Sequence, residues 1–117
     1  MRKLIPVLAL AATLGIAAPA AVHVGIKTVS PKRGSTVDRP LERVKVTFEG
    51  AITDGHLTVR GPSGRKVSIG DGTVVKHHTV LRVRLKSGLG TGRFSVSLEV
   101  LNTDGHLMTK SWSYKLT

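Results

Sequence analysis

The 117-residue chain predicts an all-β fold, an immunoglobulin-like Greek-key β-sandwich of about seven strands. Three observations lead there. Past residue 23, apolar residues alternate with polar ones nearly everywhere, which is the two-residue period of a half-buried strand. Clusters of Gly, Pro, Asn and Asp punctuate these runs at short intervals. No segment keeps the 3.6-residue apolar repeat of a helix.

Each run follows in order along the sequence. Val24 and Ile26 alternate ahead of the turn Ser30-Pro31-Lys32-Arg33-Gly34. Val44, Val46 and Phe48 make the next strand. Leu57 and Val59 lead to the turn Gly61-Pro62-Ser63-Gly64. Val67 and Ile69 follow, closed by a turn at Gly70-Asp71-Gly72. Leu81, Val83 and Leu85 end at the glycines 88, 90 and 92. Phe94, Val96, Leu98 and Val100 form the longest run, stopped by Asn102-Thr103-Asp104-Gly105. Trp112, Tyr114 and Leu116 complete the series.

A different composition precedes the strands. Arg2 and Lys3 form a short positive region, Leu4 to Ala18 is uncharged and mostly apolar, and Ala18-Pro19-Ala20 fits the A-x-A pattern of signal peptidase. Leu4 to Val22 is long enough to span a bilayer, but Pro19 and the small residues around it favour cleavage. The expectation is a signal peptide over 1–20, cleaved near Ala20, and one exported domain over 21–117. With no cysteine in the chain, that domain has neither disulfides nor thiolate chemistry and depends on sheet packing.

Removing Arg2 and Lys3 leaves about +9 of the formal +11 charge. The basic residues look scattered on solvated strand faces, as Arg82 and Arg84 alternate with Leu81, Val83 and Leu85. The aromatic residues are Phe48, Phe94, Trp112 and Tyr114, each in an apolar register rather than on a stacking platform. Nucleic acid is therefore not expected as a partner. Attraction to anionic membrane surfaces suits an exported cationic domain better. No Ser/His/Asp triad, catalytic carboxylate pair or phosphate-binding loop stands out, so no enzymatic activity is expected.

Three stretches, in order, resemble the copper resistance protein CopC family of small periplasmic Cu(II)-binding β-sandwiches. His23 stands eight residues before Pro31 of Ser30-Pro31, with Gly34 beyond, as the family's ligand histidine precedes its S-P turn. Phe48-Glu49 resembles the family's Phe-(Ser)-Glu segment. Gly88 to Leu116 resembles its ending, a Gly-rich turn, a strand, a D-x-H pair and a last aromatic strand. The resemblance implies a Cu(II) site made by His23, with its α-amine when terminal, and by Asp104 and His106. Such nitrogen and oxygen donors suit Cu(II) in tetragonal geometry. It also implies a monomeric periplasmic carrier or buffer serving an inner-membrane copper transporter of CopD type. Imidazole ligands must be deprotonated, so affinity should fall as pH drops through the histidine range near about 6.5.

Two departures matter. Val22 precedes His23, whereas family members usually begin at the histidine. Cleavage after Ala20 would start the chain at Ala21-Val22-His23, whose amine, two backbone amides and third-residue imidazole form a complete square-planar site without Asp104 or His106. Leu98 also replaces a frequent tryptophan. A methionine-cluster Cu(I) site is excluded by ligand count, since Met108 is the one methionine besides Met1; core filling is its expected role.

Asp104 and His106, as residues i and i+2 of an extended segment, are expected to face one metal. Read without the family, they are equally an Asp-Gly turn, and His23 an ordinary residue near a terminus. Thr53-Asp54-Gly55-His56-Leu57 recurs as Thr103-Asp104-Gly105-His106-Leu107, and both copies read as turns entering a strand. His56 is then a surface turn histidine. His77 and His78 are adjacent, so on a strand they would point to opposite faces and form at most a weak second site. Two alternatives to a carrier remain: an oxidative copper enzyme with a histidine-brace-like centre, disfavoured by the small domain and core aromatics, and a metal-free immunoglobulin-like interaction module.

Overall fold

The computed structural model describes residues 24–117. Residues 1–23, which hold the expected leader and His23, lie outside the described residues. The strands are β1 (Ile26–Ser30), β2 (Thr36–Val37), β3 (Arg43–Phe48), β4 (Asp54–Arg60), β5 (Ser68–Val75), β6 (Val80–Leu85), β7 (Gly92–Leu101) and β8 (Leu107–Leu116). They form two four-stranded sheets, ordered β1-β3-β6-β5 and β2-β8-β7-β4. This is the expected immunoglobulin-like Greek-key sandwich.

The count is eight strands rather than about seven, and β2 accounts for the difference. Two residues cannot display an alternation, so no sequence period reveals it. The chain crosses from one sheet to the other after Pro31. The Gly34 N–H then donates to the Ser113 carbonyl (2.7 Å), and Thr36 and Val37 run parallel to Lys115 and Leu116.

Alternation identifies the core residues of five strands correctly and fails on β5, where Ser68 is buried and Ile69 is exposed. Val44, Val46 and Phe48 of β3 and Leu81, Val83 and Leu85 of β6 face Leu57 and Val59 of β4, Phe94, Val96, Leu98 and Val100 of β7, and Trp112, Tyr114 and Leu116 of β8, all buried in one cluster. Burial of each such side chain stabilises by about 1.5–3 kcal/mol, set against the entropy of ordering the chain. Phe94 and Tyr114 are cross-strand partners and stack with ring centroids 5.5 Å apart, the favourable aromatic pairing of a sheet. Tyr114 Oη and Trp112 Nε1 have no hydrogen-bond partner among the described residues. Burial pushes the Tyr114 hydroxyl up to about 12, because ionisation would strand a charge in the core.

Gly70-Asp71-Gly72 is not the expected turn. β5 continues through it as a bulge, with register Ile69↔Arg84 before and Thr73↔Arg82 after. Gly70 (φ 75°) and Gly72 (φ 103°) take up the distortion, which glycine does at little steric cost.

Candidate metal centre

The β7–β8 hairpin sets the geometry. Its strands stay in register up to Leu101↔Leu107, so residues 102–106 must reverse the chain. The Asn102 N–H donates to the His106 carbonyl and the Gly105 N–H to the Asn102 carbonyl, each at 2.9 Å. Gly105 sits at φ 87°, the left-handed region that favours glycine. Asp104 Oδ1 accepts the His106 backbone N–H (3.0 Å), while Oδ2 lies 3.1 Å from His106 Nδ1.

The structure therefore brings Asp104 and His106 together, but not by the expected route. They lie in a turn, not on an extended segment, so strand alternation has no part in it. The Asp104 side chain folds onto the backbone two residues on, the ordinary Asx-turn chemistry of aspartate, and that same fold lays its second oxygen against the imidazole. The His106 side chain is 64% exposed and that of Asp104 21%, so the pair opens to solvent at one end of the sandwich.

Asn102 lies beneath this turn at 1% exposure. Its Nδ2 donates to the His106 carbonyl (3.3 Å), and its Oδ1 accepts the Val24 N–H at 2.9 Å. That N–H belongs to the peptide bond joining Val24 to His23. The third expected ligand lies outside the described residues, yet the chain that carries it is tied to the base of the Asp104/His106 turn. In the sequence Asn102 reads as a turn former; its burial and its bond across the sandwich depend on tertiary packing and leave no local signal.

Glu49 is a second residue that sequence reasoning left without a role in the site. Its N–H donates to the Gly25 carbonyl (2.8 Å), and its carboxylate lies over Gly25, where an added Cβ would come within 2.5 Å of Oε1. A carboxylate thus borders the segment leading to His23, and the Phe48-Glu49 pair was its visible signal. Among the described residues no group of three or more His, Asp or Glu side chains converges as a metal site.

The other histidines are placed differently from expectation. His56 is exposed but belongs to β4, opposite Glu99 of β7, rather than to a turn. His77 and His78 are not on a strand. They occupy the β5–β6 turn, where Lys76, His77 and His78 all have positive φ (55°, 57° and 64°). The Lys76 carbonyl accepts the Thr79 hydroxyl (2.6 Å) and the His78 carbonyl accepts the Ile52 N–H (2.8 Å), bonds that hold this unfavourable backbone. Met108 packs against the core, partly buried, the role expected of it.

A family model described as the CopC domain matches residues 26–117. The chain belongs to the CopC family. The matched segment contains Asp104 and His106 and begins just after His23. Similar solved structures include CopC from Methylosinus trichosporium OB3b, with TM-score 0.71 and 20% identity over 80% of this chain and 93% of that one. PcoC from Escherichia coli, described as a methionine-rich copper resistance protein, has TM-score 0.66 and 17% identity over 82% of this chain and all of that one. A selenomethionine form of PcoC gives TM-score 0.64 at 17% identity, covering 79% of this chain and 98% of that one. At such identities the likeness is one of fold. No curated protein matches the sequence.

Proposed function

We propose that this CopC-family protein binds one Cu(II) per chain through His23, Asp104 and His106. In this reading it is exported to the periplasm by cleavage near Ala20, stays monomeric, and acts as a carrier or buffer for an inner-membrane copper transporter of CopD type. It holds its cargo rather than turning over a substrate. The observation that carries the reading is the Val24–Asn102 hydrogen bond, which fastens the residue after His23 to the turn bearing the other two ligands. The donor chemistry agrees: a carboxylate and an imidazole already meet at 3.1 Å, and a second imidazole suits Cu(II). The description of PcoC as a copper resistance protein points the same way.

Glu49 fits the same reading as a carboxylate beside the arriving chain, able to orient or complete the ligand set. The test is a Cu(II) titration of the exported protein whose N-terminus has been fixed by intact mass. One equivalent should bind, and His106→Ala should weaken binding and alter the copper spectrum. If neither changes, copper sits on Ala21-Val22-His23 alone and the cross-sandwich site is wrong.

A further inference from the structure

The two sheets present unlike outer surfaces. Pairing of β3 with β6 sets Arg43 opposite Arg84 and Lys45 opposite Arg82. Outward residues two apart on one strand share a face, so these four cations form a two-by-two block on the β1-β3-β6-β5 sheet. Basic residues that looked scattered in sequence are gathered by strand register. Directly opposite like charges destabilise a sheet. None of the four has an acidic partner among the described residues, where Lys66 pairs with Asp71 and His106 with Asp104. At the centre of the other sheet, Ser95, Ser97, Ser111 and Ser113 pair across β7 and β8, and its one opposed cation pair in that ladder, Arg93 and Lys115, stands at the end.

We propose that the cationic block docks the protein on an anionic lipid surface. Several observations select this occupant. The block lies on the face of a sheet, and Arg43, Lys45 and Arg84 are exposed, so their long side chains can follow a plane of headgroups. Ile69 is in register beside Arg84 and is 49% exposed, which offers one apolar side chain to the headgroup boundary. Single-stranded nucleic acid sites rely on aromatic stacking platforms, and protein interfaces pair arginine anchors with buried aromatic ones. All four aromatic residues here are in the core, so the block offers neither. Arg39 and Lys86 extend the positive charge around the rim of a neighbouring cavity of about 760 Å³, where Asp38 and Glu42 also sit; the mixed charge there marks the edge of the block.

Arg43 begins β3, and the other end of that strand leads to Glu49 and its bond to Gly25. Docking through the block therefore leaves the Asp104/His106 end clear, and the proposal stands whether or not copper binds there. The test is sedimentation of the exported protein with vesicles of phosphatidylcholine alone or with about a third phosphatidylglycerol, at about 0.1 M salt. A variant with Arg43, Lys45, Arg82 and Arg84 all changed to Gln is compared with one in which Arg60, Arg93, Lys110 and Lys115 are changed to Gln. Both lose the same charge.

Each basic residue near an anionic surface contributes about fivefold in partitioning, so the block variant should lose roughly several hundredfold and the other far less. Its thermal midpoint should not fall, because repulsion is removed. Equal loss in both variants would overturn the proposal by showing a bulk-charge effect. Equal binding to zwitterionic vesicles, or binding to an acidic protein or polyanion with none to anionic vesicles, would overturn it as well.

Discussion

The same five residues, Thr-Asp-Gly-His-Leu, occur at 53–57 and 103–107 and fold in two ways. In the first copy Asp54, Gly55 and His56 are strand, paired with Leu101, Val100 and Glu99 of β7. Gly55 faces the core, where an added Cβ would lie 2.8 Å from Leu81 Cδ2. In the second copy the chain reverses, Gly105 turns left-handed, and open space surrounds its missing side chain. The Asp54 carboxylate accepts its neighbour's N–H, that of Gly55 (2.8 Å), whereas Asp104 closes onto His106.

Context decides between them. Ile52 precedes the first copy and Asn102 the second, and each is 1% exposed. Ile52 anchors its copy in the apolar core, and a neighbouring strand then takes up the backbone groups of residues 54–56. Residues 102–106 join two paired strands and have no strand of their own to pair with. Side chains and turn bonds must satisfy that backbone instead. One glycine is required by crowding and the other by its dihedral angle, although the letters are identical. Only the second copy aims its Asp and His at the same point.

Exchanging the preceding residues is the harshest test of this contrast. Ile52→Asn puts an amide into an apolar site and should cost about 4 kcal/mol by denaturant unfolding, combining lost packing with polar burial. Asn102→Ile should cost about 2 kcal/mol because partners of the Asn102 amide, including the Val24 N–H, lose a hydrogen bond. It should also weaken copper binding. If Asn102→Ile bound copper as the native protein does, the tie from Val24 to the turn would have no part in the site.

Histidine substitution comes next. His106→Ala should raise the Cu(II) dissociation constant by about a hundredfold or more, since losing a ligand should cost at least what losing its supporting groups does, and His56→Ala should change it less than twofold. Competition titration reads both. Equal effects would mean that the difference between the two copies is irrelevant to metal binding.

Smaller effects are expected at the glycines. Gly55→Ala should destabilise by about 2 kcal/mol through overpacking, and Gly105→Ala by about 1 kcal/mol through backbone strain. Gly105→Asn should be milder than Gly105→Ala, because asparagine tolerates the left-handed region; Gly55→Asn should be worse than Gly55→Ala. Thermal unfolding of the four variants checks that reversal of order.

Tyr114→Phe, at a position outside both copies, gives the baseline. It should leave stability at neutral pH unchanged or raise it by up to about 1 kcal/mol, since the hydroxyl it removes has no partner among the described residues. Its folded-state value is raised above the ordinary 10 to about 12. The native protein therefore keeps this contribution below pH 10 and loses it as pH rises toward 12. Unfolding midpoints across that window should fall more for the native protein than for the Phe variant, and the absorbance of its single tyrosine reports the ionisation.

The sequence by itself determined the sandwich, because alternation records which side of a strand faces the core. It named the inward residues of β3, β4, β6, β7 and β8 and, through the resemblance of Asp104-Gly105-His106 to the family's D-x-H pair, two members of the candidate site. Short-range patterns could not show β2, the bulge at 70–72 or the left-handed turn at 76–78, since each depends on how distant segments meet. Burial of Asn102, its bond to Val24 and the gathering of Arg43, Lys45, Arg82 and Arg84 were likewise decided by tertiary structure. Register is a relation between strands, and no single strand's sequence contains it.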